Sequence, residues 1–568
     1  MSSSARSGDR PAGAIHGTRS PVLGRNGVIA TSQPLASAAG LQVLQEGGNA
    51  IDAAVTAAAV LAVVEPTMTG VGGDLFALVY DGKAKTLKAL NSSGRAGANA
   101  NADALRRRGL SAMPPHGPTS ITVPGSVAGW SELLRSHGTI PLARAVAPAI
   151  GYARDGYAVS EIVAGQWEGA AERIALDPGA AAALLPGGRP PAHGDVVRNP
   201  DLANTLEQVA KHGADAIYKG PIGKTIADHV SRLGGFLTAA DFASHTSDWV
   251  SPISTTYRGY TLFEMPPNTQ GFVALEMLNI LEGYDLRGMG HNTADYLHVY
   301  TEAKRIAFAD RAAYLADPRR FPAELLATLV SKAYAEERRR EIDLRHVAAN
   351  YSSYVGRVPL APSSSGPAGT TGPAGTRGPA GFDTRGKGDT VYLAAADRFG
   401  NAISLINSLF DSFGSGIVAP GTGVALHSRG SGFSLEAGHP NELAPGKRPF
   451  HTLVPAFLMK DGQPFMAFGV MGADNQAQAH AQVVANVVDF GMNVQEAGEV
   501  ARVRHFEEGL AVESGIAESV RAELRRRGHI LHDGRGMVGG YQAVRIDTAT
   551  GVLQGGSDPR KDGLAIGF

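Results

Sequence analysis

At 568 residues the chain can bury a large core, and its 43% hydrophobic and 18% charged residues are a globular composition. With 52 basic and 53 acidic residues the net charge is -1, so no overall field draws it to nucleic acid or to an anionic membrane. Cysteine is absent, which removes disulfides, thiolate catalysis and cysteine metal sites.

The N-terminus, MSSSARSGDRPAGAIHGTRSP, carries arginines without a following apolar region, so residues 1–24 read as a disordered tail rather than a secretory signal. A strand in GVIATS, a helix over Leu35–Glu46, a turn in EGGNAID and a small-residue helix over Ala53–Val64 come next. That last run is far short of the roughly 20 residues that span a bilayer, so the expectation is a soluble, cytoplasmic protein. TGVGGD (Thr69–Asp74), before the strand LFALVY, reads as a tight packing turn in preference to a backbone anion site. Helix and strand periods alternate here, which indicates a mixed α/β layered fold. Residues Ala128–Arg173 and Leu202–Glu282 read as mostly helical, and Thr293–Pro318 as one amphipathic helix closed by proline.

Glycine recurs at 366, 369, 372, 375, 378 and 381, within a segment over 356–389 that reads as a flexible linker; a collagen-like helix needs three chains and many more triplets. It gives way to TVYLAAADRFGNAISLINSLF, a strand, a tight turn at Arg398–Asn401 and a second strand. Beyond it, FGSGIVAPGTG is open to two readings, a backbone anion site or a packing turn. Gln476–Asp489 and Val494–Ala501 read as helices. YKGPIGKT lacks the first glycine of a phosphate loop, neither G-x-S-x-G nor H-E-x-x-H occurs, and the 17 histidines show no ligand spacing.

A threonine hydroxyl is a poor nucleophile unless a base lies beside it, and an α-amino group with a pKa near 8 is such a base if the threonine becomes the first residue of a chain. Thr390 stands where a linker meets a strand, the arrangement that a cut between Asp389 and Thr390 requires. The hydroxyl would attack the Asp389 carbonyl, and water would open the ester.

The run from Thr390 through GDTVYLAAADRFGNAIS, then SFGSGIVAPGTGVAL, PGKRPFHTLVP and FGVMGADNQAQ, resembles the small subunit of the γ-glutamyltranspeptidase family of N-terminal nucleophile hydrolases. Upstream, VIATSQPLAS, EGGNAIDAAV, EPTMTGVGGD, ITVPGSVAGW, MPPNTQG and EAKRIAFADRAAYLADP resemble its large subunit. The resemblance implies a four-layer αββα sandwich built from one precursor, with a large-subunit core over 25–355 and a catalytic small subunit over 390–568 that remain partners after the cut. It implies Thr390 as nucleophile, Ser408 in the place of a supporting threonine, and Gly472 and Ala473 as the backbone N–H pair that holds an oxyanion. It implies neither a metal nor an organic cofactor.

On the substrate side the resemblance makes Arg95 the arginine for a substrate carboxylate; a surface or interdomain ion pair is its other reading. Phe410, Arg429 and Gly432 stand where transpeptidases carry asparagine, glutamine and the aspartate for the γ-glutamyl ammonium. His451 and Thr452 replace a serine pair beside the same pocket. The expectation is therefore an amidohydrolase or acyltransferase acting on a small acyl donor with a carboxylate, met by Arg95 and Arg429. Two alternatives remain open at this level: a C–C bond hydrolase using the same nucleophile, and a non-catalytic binding homologue.

Overall fold

The computed structural model describes residues 18–351 and 389–568; most of the expected tail and the Gly-X-Y linker lie outside the described residues. Alternating side chains explain the centre of the molecule. In the strand Asp389–Asp397, Val391, Leu393 and Ala395 face one apolar layer, while Tyr392, Ala394 and Ala396 face another. Its antiparallel partner Ala402–Phe410 divides in the same way, with Ile403 and Leu405 on the first side and Ala402 and Ile406 on the second. A strand pair apolar on both faces belongs inside a sheet that is covered on both sides.

That sheet has seven antiparallel strands in the order Leu564–Gly567, Gly27–Thr31, Asp389–Asp397, Ala402–Phe410, Asp74–Asp81, Thr86–Ser92, Asp248–Val250. A second antiparallel sheet runs Val22–Gly24, Leu553–Ser557, Tyr541–Ile546, Gln463–Val470, Ala456–Lys460, Tyr260–Glu264, Ile253–Tyr257. Tyr392, Ala394 and Ile406 of the first sheet meet Phe457, Ala467 and Val544 of the second. Helices Pro34–Gln45 and Ala50–Val64 cover the outside of the first sheet, and Gly271–Leu281, Ala294–Tyr314 and Asn475–Val488 cover the outside of the second. The layers are α, β, β, α, as the resemblance implied.

One cap ties a helix to the strand that begins at Asp389. Every residue of Ala50–Val64 is buried, and Asn49 and Asp52 form a capping box at its start. The Asp397 carboxylate accepts the Ala50 N–H at 2.7 Å and the Phe399 and Asn401 N–H groups, so the turn that follows the strand also caps the helix.

Three expectations need correction. Residues 22–24, expected in the tail, form an edge strand against 553–555. Leu202–Glu282 is helical only in part: Asp248–Val250, Ile253–Tyr257 and Tyr260–Glu264 are strands. The alternating β-branched and aromatic residues of ISTTYRGYTLF carry that signal, and Arg258–Gly259 turns between them with both φ angles positive, at 47° and 84°. Val494–Ala501 holds a single helical turn, Glu496–Glu499.

Candidate active site

Thr390 lies one residue inside its strand, where the ladder breaks. Asp389 pairs with Phe410 and Val391 with Asn407, so Ser408 and Leu409 together oppose the one residue Thr390. A bulge of this kind re-aims side chains. Here it brings the Thr390 hydroxyl to 3.2 Å from the Ser408 Oγ, to which it donates, and both residues are buried. Phe410, just beyond, has a φ of +83° and donates its N–H to the same Ser408 oxygen at 2.7 Å. A left-handed backbone at a phenylalanine costs of order 1–3 kcal/mol and persists only where its surroundings impose it.

The glycine turn Thr69–Asp74 is a packing turn, as expected, and it walls this corner. A Cβ on Gly73 would stand 2.6 Å from the Ser408 carbonyl oxygen, and one on Gly72 would stand 2.2 Å from that of Ala425. FGSGIVAPGTG resolves the same way: Gly414, Gly416 and Leu426 donate their N–H groups to Asp411, Phe413 and Ile417 within the loop.

From the second sheet come Gly472 and Ala473, which follow the strand Gln463–Val470 and precede the helix Asn475–Val488. Gly469 lets the two sheets close, since a Cβ there would stand 2.5 Å from the Tyr392 ring, two residues along from Thr390. Gly472 and Ala473 have φ angles of 115° and 51°, and neither N–H donates to an acceptor among the described residues. Two N–H groups at a helix start with no protein acceptor suit a developing negative charge.

This turn is held by residues that the sequence did not single out. Gln270 donates through its Nε2 to the Ala473 carbonyl (3.1 Å) and the Thr452 carbonyl (2.8 Å). Arg311 donates to the Gln270 Oε1 (2.6 Å) and pairs with Asp474 (2.5 Å). Burial favours the neutral form of Asp474, but Arg311 outweighs it and keeps the carboxyl below its ordinary value. Both Gln270 and Arg311 lie inside quoted motifs, MPPNTQG and EAKRIAFADR, but nothing local marks them as neighbours of residue 473.

The expected substrate residues separate. Arg429 is buried, donates to the Thr452 Oγ1 at 2.9 Å, reaches the Ser408 Oγ at 3.5 Å and stacks over the Phe410 ring with its central carbon 4.1 Å from the centroid. Burial pulls it down to about 9 against Asp74 and Asp474, so it stays a cation at neutral pH. Thr452 belongs to the same cluster. Arg95 does not join it: its guanidinium is a third exposed and lies 3.5 Å from Asp248 and 3.7 Å from Asp317.

His451 has both ring nitrogens committed, Nε2 to Asp74 at 3.1 Å and Nδ1 to the Leu453 N–H at 3.3 Å, and it is buried edge-on to Phe76. Burial, with Arg429 beside it, lowers His451 to about 3 against the pull of Asp74. Asp74 itself stays well below the usual carboxylate range: burial opposes this, but His427, His451 and Arg429 prevail. A histidine lowered this far contributes stability that is fully present above its unfolded value near 6.5 and is lost as pH falls toward 3. Histidine-labelled NMR, with His451→Asn to assign the signal, should show the ring neutral down to pH 5; a titration near pH 6.5 would contradict this burial.

The γ-glutamyltranspeptidase family model matches residues 36–568. The glutathione hydrolase-like YwrD proenzyme of Bacillus subtilis (strain 168) is 37% identical over 557 residues, spanning 96% of this chain and 99% of that protein. The acylase ACY 1 proenzyme of Pseudomonas sp. (strain SE83) is 35% identical over 559 residues, spanning 96% and 94%. Among solved structures, cephalosporin acylase from Bacillus halodurans superposes with a TM-score of 0.87 at 39% identity over 97% of each chain.

Proposed function

Because this chain belongs to the γ-glutamyltranspeptidase family, and is with it an N-terminal nucleophile amidohydrolase or acyltransferase, we propose that Thr390 is its nucleophile. The observation that carries this is the buried hydrogen bond from the Thr390 hydroxyl to Ser408 at the break in the ladder. In the precursor the Thr390 Oγ attacks the Asp389 carbonyl carbon, the Asp389–Thr390 C–N bond breaks, and water opens the resulting ester. Thr390 is then the first residue of the small chain, which stays beside the large one because the two share one central sheet.

In the mature enzyme the new α-amine takes the hydroxyl proton as Oγ attacks the donor amide. Ser408 orients the hydroxyl, and the Gly472 and Ala473 N–H groups receive the oxyanion. The ammonium returns its proton to the leaving amine, and water, or an amine acceptor, releases the acyl group from Thr390. Arg429 and Thr452 line the acyl side, and His451 acts by holding Thr452 in place. The buried Arg429 cation beside Ser408 favours an anionic donor, whereas Arg95 faces Asp248 and Asp317 outside this cluster. The relatives named above give no support to C–C hydrolysis or to a non-catalytic role.

Acid quenching during turnover of an anilide donor, followed by peptide mapping, should place the acyl mass on the peptide that begins at Thr390. An adduct elsewhere, or none under conditions where aniline is released in a burst, would remove Thr390 from this role.

A further inference from the structure

The chain leaves the strand Ala402–Phe410 through Asp411, and the groups that hold it there come from distant parts of the sequence. The Asp411 carboxylate uses one oxygen locally, its Oδ1 accepting the Ser412 N–H at 2.7 Å. Its Oδ2 lies 2.6 Å from the His116 Nε2 and 3.2 Å from the Arg173 Nη1, and Arg173 also donates through Nη2 to the Ser412 carbonyl. The Arg173 Nη1 stands 2.6 Å from the same His116 nitrogen. That nitrogen donates to Asp411 only when it carries a proton and accepts from Arg173 only when it does not. Arg173 is therefore the partner of the carboxylate in both states, and His116 in one. Burial raises the Asp411 carboxyl, but the His116 hydrogen bond and the Arg173 charge outweigh it and keep the group below its ordinary value.

Arg173 stands in the last turn of the helix Glu161–Ile174, and that helix grips the rest of the segment as well. Its Trp167 ring packs on Phe413 with centroids 5.0 Å apart, and a Cβ on Gly416 would stand 2.9 Å from the Arg173 Cγ. Gly117, next to His116, donates its N–H to the Ser415 carbonyl at 3.0 Å. Two separate stretches of the large-subunit region thus fix residues 411–416 of the small one.

On the other side of Asp411 lies Phe410, whose φ of +83° is a conformation that a bulky residue takes only where its neighbours impose it. Arg429 restrains the Phe410 ring, and the clasp on Asp411 restrains the backbone that follows. With Phe410 in this conformation its N–H meets the Ser408 Oγ at 2.7 Å, and the same oxygen accepts the Thr390 hydroxyl at 3.2 Å. An oxygen that receives both donors is held at one point, and the hydroxyl is held with it.

We infer that Asp411, clasped by Arg173 and His116, is a positioning residue for the reaction: it holds the left-handed Phe410 backbone that fixes Ser408 against the Thr390 hydroxyl. Self-cleavage and turnover then both depend on two segments of the large-subunit region that touch neither the nucleophile nor the donor. This rests on the reading of Thr390 as nucleophile.

The test compares Asp411→Ala with the wild type by pulse-chase of the newly made precursor and by steady-state kinetics. The donor is whichever of the acetyl, glutaryl and γ-glutamyl p-nitroanilides the wild type turns over fastest. In Asp411→Ala, kcat and the rate of self-cleavage should both fall about 10-fold with KM little changed. A misplacement of about 1 Å costs about 100-fold, and the Leu409 and Phe413 N–H bonds to the carbonyls of Met68 and Thr67 limit the shift. Arg173→Met should resemble Asp411→Ala, and Arg173→Lys should recover part of both rates. His116→Gln should cost less than Arg173→Met, because Asp411 then keeps its constant partner. Should Asp411→Ala fail to fold, the two Arg173 variants decide. A loss confined to KM overturns the inference, as does a lower melting temperature with kcat of the folded fraction intact, or a fall in turnover with self-cleavage unchanged. In each of those cases an acyl ester on Thr390 leaves the nucleophile standing. Absence of any acyl ester on Thr390 in the wild type overturns the reading beneath it.

Discussion

Thr390→Ala is expected to yield one uncut chain of 568 residues with no amidase activity, where the wild type yields two chains meeting at Asp389 and Thr390. The alanine removes the oxygen needed both to cut the chain and to attack the donor, so no partial rate should survive through the same route. It should not unfold the protein. Among the described residues Thr390 makes one side-chain hydrogen bond, at 3.2 Å, and its strand is held by Gly27–Thr31 and Ala402–Phe410 on either side and by Asp397 at its far end. Thr390→Ser keeps the oxygen and should process and turn over more slowly. Intact mass and aniline release check these outcomes together. A wild-type chain that stays whole while active, or an alanine variant that still cuts at this bond, would sink the scheme.

Arg311→Met is expected to lower kcat by about 100-fold with KM little changed, comparable to the loss of one oxyanion donor. Arg311 touches neither Thr390 nor Arg429. It holds Gln270 and Asp474, and Gln270 in turn fixes the Ala473 carbonyl, so it positions the turn whose N–H groups are proposed to receive the developing charge. Without it Asp474 keeps a buried charge with its main partner gone, and two successive positive φ angles lose part of what imposes them. Arg311→Lys retains the charge but not both hydrogen bonds and should recover part of kcat. A purely structural role would lower the melting temperature and leave kcat of the folded fraction intact. That outcome, or a loss confined to KM, would separate Arg311 from the oxyanion turn.

Much of this site was legible in the chain because it is written in short contiguous patterns. The change from glycine repeats to TVYLAAAD marks Thr390, the period-two apolar pattern predicts a strand buried on both faces, and RFGN supplies the turn. VMGADN places two small residues before a helix, with positive φ free of steric cost at Gly472 and imposed by the surroundings at Ala473. The strand pair at ISTTYRGYTLF is less legible because it lies between helical segments and its turn, Arg258–Gly259, is only two residues long.

What the sequence alone determined was the layered α/β class, which depends on repeating periods, while Thr390, Ser408 and the Gly472–Ala473 pair were put forward from short contiguous motifs that resemble those of a known family. Only the tertiary structure decided how charges pair. Arg95 lies 153 residues from Asp248 and 222 from Asp317 along the chain, whereas Arg429 is left among hydroxyls and an aromatic ring. Burial and long-range contact set which arginine faces carboxylates and which lies among hydroxyls and a ring, and neither quantity exists until the two sheets have closed on each other.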